Sequence, residues 1–353
     1  MEFTKEDLTG FAQTIFLALG TSEERARTVA EHLVEANLKG HDSHGVGMIP
    51  NYVNSSLAGT LHVNNDAVIV KDKGSVLLVD GQFGYGQVVG RQATALGIKR
   101  AQELGMACVG ARNNHHLGRI GAYGEQCARE GLISIHFVNV VGHQPFVSPW
   151  GGRDKRLQTN PFCCAVPTTN PDEPVVLDMA TSAIALGKVR VAGMKQVPVP
   201  EGALFDAEGV PTTDPGAIAA GGSLGPFGQH KGYGLAFICE LLGGGLAGEW
   251  TMQDVKRQQA VTVNHMLMFI IDPDVFGGAE AFRREVDGMV DWMHSSAPAK
   301  GFDKVRIAGE PERESMAARL ANGIPIDDQS LNAIVGAARK AGVDEAGIQR
   351  YTG

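Results

Sequence analysis

Residues 41–53 read HDSHGVGMIPNYV, which sets two imidazoles, a carboxylate and a hydroxyl beside a glycine. Packing needs none of these groups. Proton transfer can use them, because an imidazole of pKa about 6.5 gains and loses a proton near neutrality. Ser43 and His44 are the pair to follow, and His41 reads as a helix-end residue. Three later segments can supply partners. In 112–124, RNNHHLGRIGAYG, His115 and His116 stand at the carboxyl end of an expected strand, the usual ligand side of an α/β sheet. The glycines at 118, 121 and 124 then lead into a helix whose N-terminus would favour a phosphate; a plain surface loop is the competing reading. In 177–193, LDMATSAIALGKVRVAG, Asp178 closes an apolar strand. A carboxylate there needs a partner, either a backbone N–H or a histidine that it orients. In 228–234, GQHKGYG, His230 and Lys231 open a helix, and Lys231 can meet a phosphate, a carboxylate or solvent.

Two glycine patterns invite a dinucleotide reading and support it poorly. Gly243, Gly245 and Gly248 fit G-x-G-x-x-G, but they end a helical run and do not join a strand to a helix. Gly84, Gly86 and Gly90 follow a strand and open a helix, yet their spacing is one residue too long. The next strand ends in Arg112-Asn113, without the acid that binds a ribose hydroxyl. Close helix packing explains both sets. His44, His115, His116, His143 and Asp178 show no metal-ligand spacing such as HExxH, and no metal is expected.

The elements that must position these groups follow from periodicity. Thr4 can cap a helix over 4–19, with Leu8, Phe11, Ile15 and Leu19 on one face. Thr21 and Glu24 form a capping-box pattern before a second helix ended by Gly40. Asp42 or Ser43 can cap a third, running to Gly59. Strands are expected at 68–70, 76–80, 107–111, 132–140, 162–167, 175–179 and 266–271. Helices are expected at 86–104, 118–130, 230–248, 279–294, 312–321 and 327–341. Alternating strands and helices indicate an α/β layer structure. Residues 197–229, rich in Pro and Gly, read as a long irregular excursion of the functional kind.

Composition excludes several classes. The 353 residues are 43% hydrophobic and 20% charged, ordinary for a globular protein with a large core. A net charge of −8 without a Lys/Arg run offers nothing to nucleic acid or an anionic membrane. The apolar run 232–248 contains Glu240 and is too short to span a bilayer. The first twenty residues carry Glu2, Glu6 and Asp7 where a signal peptide needs cations, and the five cysteines form no framework. A cytoplasmic protein is the default expectation.

Seven segments, in order over nearly the whole chain, resemble the malate/L-lactate dehydrogenase family that lacks a Rossmann fold. They are GHDSHGVGMIPNYV, NNHHLGRIGAYGEQCA, SPWGG with LQTNPF, DMATSAIALGKVRVA, GALFDAEGVPTTDP, HKGYGLAFICELLGG and the GEPE of residues 309–312. The first looks most like bacterial hydroxycarboxylate dehydrogenases. The resemblance implies a sulfolactate dehydrogenase-like α/β fold: a three-layer core with a mixed sheet (73–302) and a helical lobe from both chain ends (1–72 and 303–353). It implies a homodimer with its active site between subunits, and NAD or NADP in an extended groove.

Carried over by position, Ser43, His44 and Asp178 match a proposed charge relay, and His116 matches a proton acceptor or donor. The cofactor would meet His44, Gly118, Arg119, Ile120, Asp178, Met179, Ala180, Lys231, Gly309 and Glu310. Met48, Tyr52, Lys188 and Arg190 would line the substrate. Many members carry arginine at the position of Met48, so a substrate carboxylate here needs another cation, with Arg119, Lys188 and Arg190 the candidates. The proline that usually precedes GEPE is Ala308.

The activity implied is interconversion of a malate- or lactate-type 2-hydroxy acid and its 2-oxo acid. Hydride passes between C2 and nicotinamide, His116 takes the hydroxyl proton, Asp178 fixes a tautomer and Ser43 bridges. The alternative is NADPH-dependent reduction of a cyclic imine carboxylate such as piperideine- or pyrroline-2-carboxylate. More distant alternatives are a metal-dependent hydrolase and a non-catalytic ligand-binding protein.

Overall fold

The computed structural model of the chain describes residues 1–257 and 261–352. After a short strand β1 (Glu2–Phe3) come helices α1 (Lys5–Ala18) and α2 (Glu23–Leu38), then two 3₁₀ turns, Asp42–His44 and Val46–Met48, and α3 (Ile49–Leu57). Thr4 caps α1, its hydroxyl accepting from the Asp7 N–H at 3.0 Å. The expected capping box is absent: Ser22 is the N-cap of α2, and the Thr21 hydroxyl bonds the Tyr85 hydroxyl instead. Neither Asp42 nor Ser43 caps α3, which begins after Met48, because the chain between spends six residues in 3₁₀ turns.

The core follows as β2 (Val68–Lys73), β3 (Val76–Asp80), α4 (Gly86–Leu104), β4 (Met106–His115), α5 (Gly121–Arg129), β5 (Ile133–Val141), β6 (Phe162–Val166), β7 (Val175–Met179) and α6 (Leu186–Lys195). Then come β8 (Leu204–Phe205), β9 (Pro211–Thr212) and β10 (Ser223–Leu224), α7 (His230–Cys239) running into π-helical turns at Glu240–Gly248, β11 (Val263–Ile271) and α8 (Ala279–His294). The chain closes with α9 (Glu310–Asn322), β12 (Ile324–Pro325), α10 (Asp328–Ala341) and α11 (Glu345–Thr352).

Seven strands form one mixed sheet in the order β2-β3-β4-β11-β5-β6-β7, in which β3 and β4 are the parallel pair. A doubly wound dinucleotide fold needs mostly parallel strands, so this sheet is of another kind. Central β11 is apolar almost throughout because both of its faces are covered. Met266, Met268 and Ile270 pack with α4 and α5, while His265, one residue out of phase, meets the π-helical turns. Three layers result.

The Gly243 and Gly248 positions allow those turns to lie on the sheet: a Cβ at Gly248 would collide with the His265 ring, and one at Gly243 would stand 2.8 Å from the Phe137 carbonyl. Gly86 likewise lets α4 start against the carbonyls of His115 and His116. Both glycine patterns therefore serve packing.

The helical lobe has its own core, joining Phe11, Phe16, Leu33, Ile49 and Tyr52 from one end of the chain with Ile324, Ile334 and Ile348 from the other. Residues 68–72, grouped with this lobe by sequence, instead pair with β3 at the sheet edge. Residues 197–229 are not irregular. They build a three-stranded sheet, β10-β8-β9, over a small core of Val147, Leu157, Val189, Leu204 and Leu224. Strands of two residues give no periodicity to read, which is why composition alone suggested a loop. Helix α6 buries only Val189 and Ala192 of its ten residues, which leaves no apolar face to read.

Candidate active site

The 3₁₀ turn that carries Ser43 and His44 is fixed from three sides. The Asn37 side chain of α2 accepts from the Val46 N–H at 2.8 Å and donates to Asp42 at 2.7 Å. Arg319 of α9 holds the Asp42 carboxylate with both terminal nitrogens, at 2.6 and 3.0 Å. His41 meets Glu312 at 3.1 Å. Asp42 is thus a clamp residue, and the turn it anchors points His44 at the end of β4.

There the rings of His44 and His116 stack at 5.3 Å between centroids, 16° apart, with His44 Nδ1 3.3 Å from His116 Nε2. His116 Nδ1 lies 2.7 Å from the Tyr52 hydroxyl, and the buried Gln87 side chain donates to that hydroxyl at 2.6 Å. Tyr52 is fully buried. It therefore positions His116, where the sequence had suggested a substrate contact. Both nitrogens of His116 are engaged. His44 is half-buried, and its Nε2 makes no hydrogen bond among the described residues.

Asp178 departs from the expected relay. Its carboxylate accepts from the Gly121 N–H at 2.7 Å and lies 3.9 Å from Arg119; no histidine is bonded to it among the described residues. It occupies the N-terminus of α5, so that helix end holds the protein's own carboxylate where a phosphate was expected. Burial pushes the Asp178 carboxyl up, against the pull of Arg119 and the Gly121 N–H.

Arg119 is also unavailable to a substrate. It is 2% exposed, bonds Glu125 at 2.5 Å, and its backbone N–H donates to His32. Gly118, at φ +76°, adopts the left-handed conformation that brings this loop against His32, and a Cβ there would strike the His32 ring. Ile120, buried, begins α5.

The other predicted residues lie around the open side. Ser43 is exposed, and its Cβ stands 3.7 Å from where a Gly187 Cβ would be, which sets the 3₁₀ turn against the start of α6. Lys188 and Arg190 of α6 are exposed and make no ion pair among the described residues. Arg190 lines a cavity of about 760 Å³ with Leu186, Val189, Thr213 and Asp214, which none of the histidines reaches. Met48 packs, half-buried, against the helical core. Met179 ends β7 and Ala180 follows it. The chain beyond them pairs with the segment leading into α7, through Ala183 N–H to Gly225 O and Phe227 N–H to Thr181 O. This brings exposed Lys231 toward the same sheet end. Gly309, at φ +98°, and Glu310 begin α9 beside β7, where Val176 N–H donates to Ala308 O. The cations of Lys188, Arg190 and Lys231 make no ion pair among the described residues, and their charge suits the phosphates of an anionic dinucleotide.

Sequence reasoning missed Gln87, His32, Glu125 and Lys39. A signal existed for Gln87, the one polar side chain in a run of buried Gly86, Val88, Val89 and Gly90. The other three read as ordinary helix-surface residues.

Burial holds the site histidines neutral. It pushes His44 down to about 4, with His41 and Arg119 adding to it, and His115 and His32 down to about 3. His116 also lies well below its usual value, from burial and then from His44 beside it. His136, at about 4, and His265, at about 3, behave alike. Each binds a proton more readily unfolded than folded. Their stabilisation is whole above about pH 6.5 and is lost as pH falls toward 3–4. Asp178 and Glu240, whose carboxyls burial raises, oppose this but are fewer. Urea midpoints measured from pH 7 to pH 4 are expected to fall steeply below about pH 6; a flat profile would mean that these rings are solvated.

No helix among the described residues is long and apolar enough to cross a membrane, and no group of three His, Cys, Asp or Glu among them is placed to hold a metal ion. The profile of the malate/L-lactate dehydrogenase family matches residues 3–335. Hydroxycarboxylate dehydrogenase B of Escherichia coli O157:H7 is 45% identical over 353 residues, covering 99% of this chain and 97% of the relative. The solved sulfolactate dehydrogenase from Methanocaldococcus jannaschii superposes with a TM-score of 0.87 at 34% identity, covering the whole of both chains. A Δ1-piperideine-2-carboxylate reductase from Pseudomonas syringae pv. tomato gives 0.82 at 30% identity, covering 96% of this chain and 99% of that one. A mixed seven-stranded sheet and a match over nearly the full length agree: this chain belongs to the malate/L-lactate dehydrogenase family, enzymes that oxidise and reduce 2-hydroxy and 2-oxo acids with a nicotinamide cofactor.

Proposed function

We propose that the protein interconverts a malate- or lactate-type 2-hydroxy acid and its 2-oxo acid with NAD or NADP, and that His44 is the group that exchanges a proton with the substrate oxygen. The observation that carries this reading is the His44–His116 pair, in which the inner ring is saturated by Tyr52 and by its neighbour while the outer ring keeps Nε2 without a partner among the described residues. The nicotinamide supplies the acceptor or donor of the hydride at C2. His44 takes the hydroxyl proton in oxidation and returns it in reduction. His116 shares the charge through the 3.3 Å contact. A substrate carboxylate held nearby favours the protonated pair and moves it back toward neutrality. Lys188, next to the Gly187 that meets Ser43, is the cation for that carboxylate, the role Met48 cannot fill. Lys231 and the ends of β4 and β7 hold the cofactor.

Self-association has its own support. Phe237, Ile238, Leu241 and Leu246 of α7 and its π-helical extension are 43–65% exposed, an apolar surface suited to a second copy. All five cysteines are free thiols, which suits the cytoplasm.

Purified protein incubated with reduced NAD or NADP and a panel of 2-oxo acids is expected to consume the reduced cofactor with at least one of them, read by near-ultraviolet absorbance. Δ1-Piperideine-2-carboxylate belongs in the panel because of the reductase of similar fold. Turnover of that imine alone would replace the hydroxy-acid reading, and no turnover with any member would end it.

A further inference from the structure

We propose that Gln87 is a positioning residue for proton transfer, and that the orientation of its amide, read through Tyr52, decides whether His44 presents a proton or a lone pair to the substrate. This rests on the reading of His44 given above. Gln87 is fully buried in the first turn of α4. Its Nε2 donates to the Tyr52 hydroxyl at 2.6 Å, while its Oε1 is buried without a partner among the described residues.

The consequences pass along the chain of bonds. A phenol oxygen that accepts from Gln87 turns its own hydrogen to His116 Nδ1, 2.7 Å away. Neutral His116 then carries its hydrogen on Nε2 and donates to His44 Nδ1 at 3.3 Å, so neutral His44 carries its hydrogen on Nε2. In this setting His44 is a donor. A half-turn of the amide reverses every bond. Oε1 accepts from the Tyr52 hydroxyl, the phenol oxygen accepts from His116 Nδ1–H, His116 Nε2 accepts from His44 Nδ1–H, and His44 Nε2 is bare.

Both settings hold three protons on the two imidazoles and the phenol, so they carry the same charge. In passing from the first to the second, His116 hands its Nε2 hydrogen to His44 Nδ1. The hydrogen on His44 Nε2 is released and one is regained at His116 Nδ1, while the Tyr52 hydroxyl turns to Gln87. The substrate hydroxyl proton is the fourth. It fits only with Oε1 toward Tyr52, because otherwise the hydroxyl hydrogen of Tyr52 is stranded in the interior, an unsatisfied buried donor. The half-turn exchanges one bond to Tyr52 for another and leaves Nε2 in the partnerless place that Oε1 held. Around the pair stand His32, His41, His115, His143 and Arg119, none of which bonds either ring. They bias its charge but do not choose its tautomer.

The test uses histidine labelled with ¹⁵N, whose shifts report which ring nitrogen carries hydrogen without any turnover. In the wild type His116 is expected as the Nε2–H form. In Gln87→Glu the carboxylate accepts from Tyr52, and His116 should carry hydrogen on Nδ1. The acidic limb of the kcat profile should then rise by at least about one pH unit, a tenfold change in proton affinity. Adding Tyr52→Phe should erase both changes. An unaltered tautomer in Gln87→Glu, or a change that survives loss of the Tyr52 hydroxyl, overturns the proposal. Should Gln87→Glu fail to fold, Gln87→Met decides: kcat at least about tenfold lower with KM retained supports the proposal, and wild-type kcat overturns it. Because the tautomer is read in the resting protein, a failure to find the substrate leaves this test intact and counts against the functional reading alone.

Discussion

His44→Ala is expected to lower kcat by about 10²–10⁴-fold, the usual contribution of a positioned acid or base. Affinity for the cofactor should be nearly unchanged, because the groups assigned to it, Lys231 and the ends of β4 and β7, lie on the core and not on the turn that carries His44. The size of the loss follows from geometry. His44 Nε2 is the one ring nitrogen of the stacked pair with no partner among the described residues, and water that replaces it cannot share charge with His116. His116→Ala should cost less, since His44 keeps its Nε2 and loses only its orienting neighbour. Single-turnover rates of both variants, with cofactor binding measured by titration, separate the roles. A His44 variant with full turnover and a crippled His116 variant would reverse the assignment. Ser43→Ala, at an exposed residue without a hydrogen bond among the described residues, should change kcat little.

The second large effect is on stability. Arg119→Met is expected to destabilise the fold by about 3–5 kcal/mol, the cost of leaving a buried charge without its partner. Arg119 and Lys39, 2% and 8% exposed, share the Glu125 carboxylate at 2.5 Å each, and Lys39 also holds Glu35 at 2.7 Å. Burial works against ionisation of Glu35, but the Lys39 ammonium outweighs it and brings the carboxyl down to about 2. Removing the guanidinium leaves Glu35, Glu125 and Asp178 with Lys39 as the buried cation among them and the exposed Arg129 reaching Glu125 only at 3.9 Å. Because Glu35 and Lys39 belong to α2 while Glu125 and Asp178 belong to α5 and β7, the cluster also fastens the helical lobe to the sheet. The lobe carries His44 and the sheet carries His116, so the same substitution should loosen the pair. Urea unfolding at neutral pH measures the first effect. A loss below about 1 kcal/mol would mean that water reaches these charges in solution.

Most of the secondary structure follows from local signals. Helix α4 and strand β7 begin and end where glycines and apolar runs place them. Strand β4 runs four residues beyond the expected 107–111, to His115, because β11 pairs with it through Asn264 and Val263. The expected helix 118–130 starts only at Gly121, since residues 116–120 are held by His32 and by the Asn264 side chain. In each case a tertiary partner moved a boundary that local propensity set elsewhere.

The site divides in the same way. Ser43, His44, His116 and Asp178 could be singled out as candidates because polar groups in apolar or glycine-rich surroundings need a reason to be there. The sequence also argued against a doubly wound dinucleotide site, because one glycine pattern lacks the strand-to-helix context and the other has the wrong spacing and no acid after the next strand. Which of these groups meet was decided only by the tertiary structure. Hydrogen bonds depend on distances between residues far apart in the chain, and burial sets which partner a group must find. The fold brings Tyr52 and His116, 64 residues apart, within 2.7 Å, and gives Asp178, 57 residues from Gly121, a backbone N–H, one of the two partners its position allowed, where the resemblance had implied a histidine. Spacing along the chain carries no record of either contact.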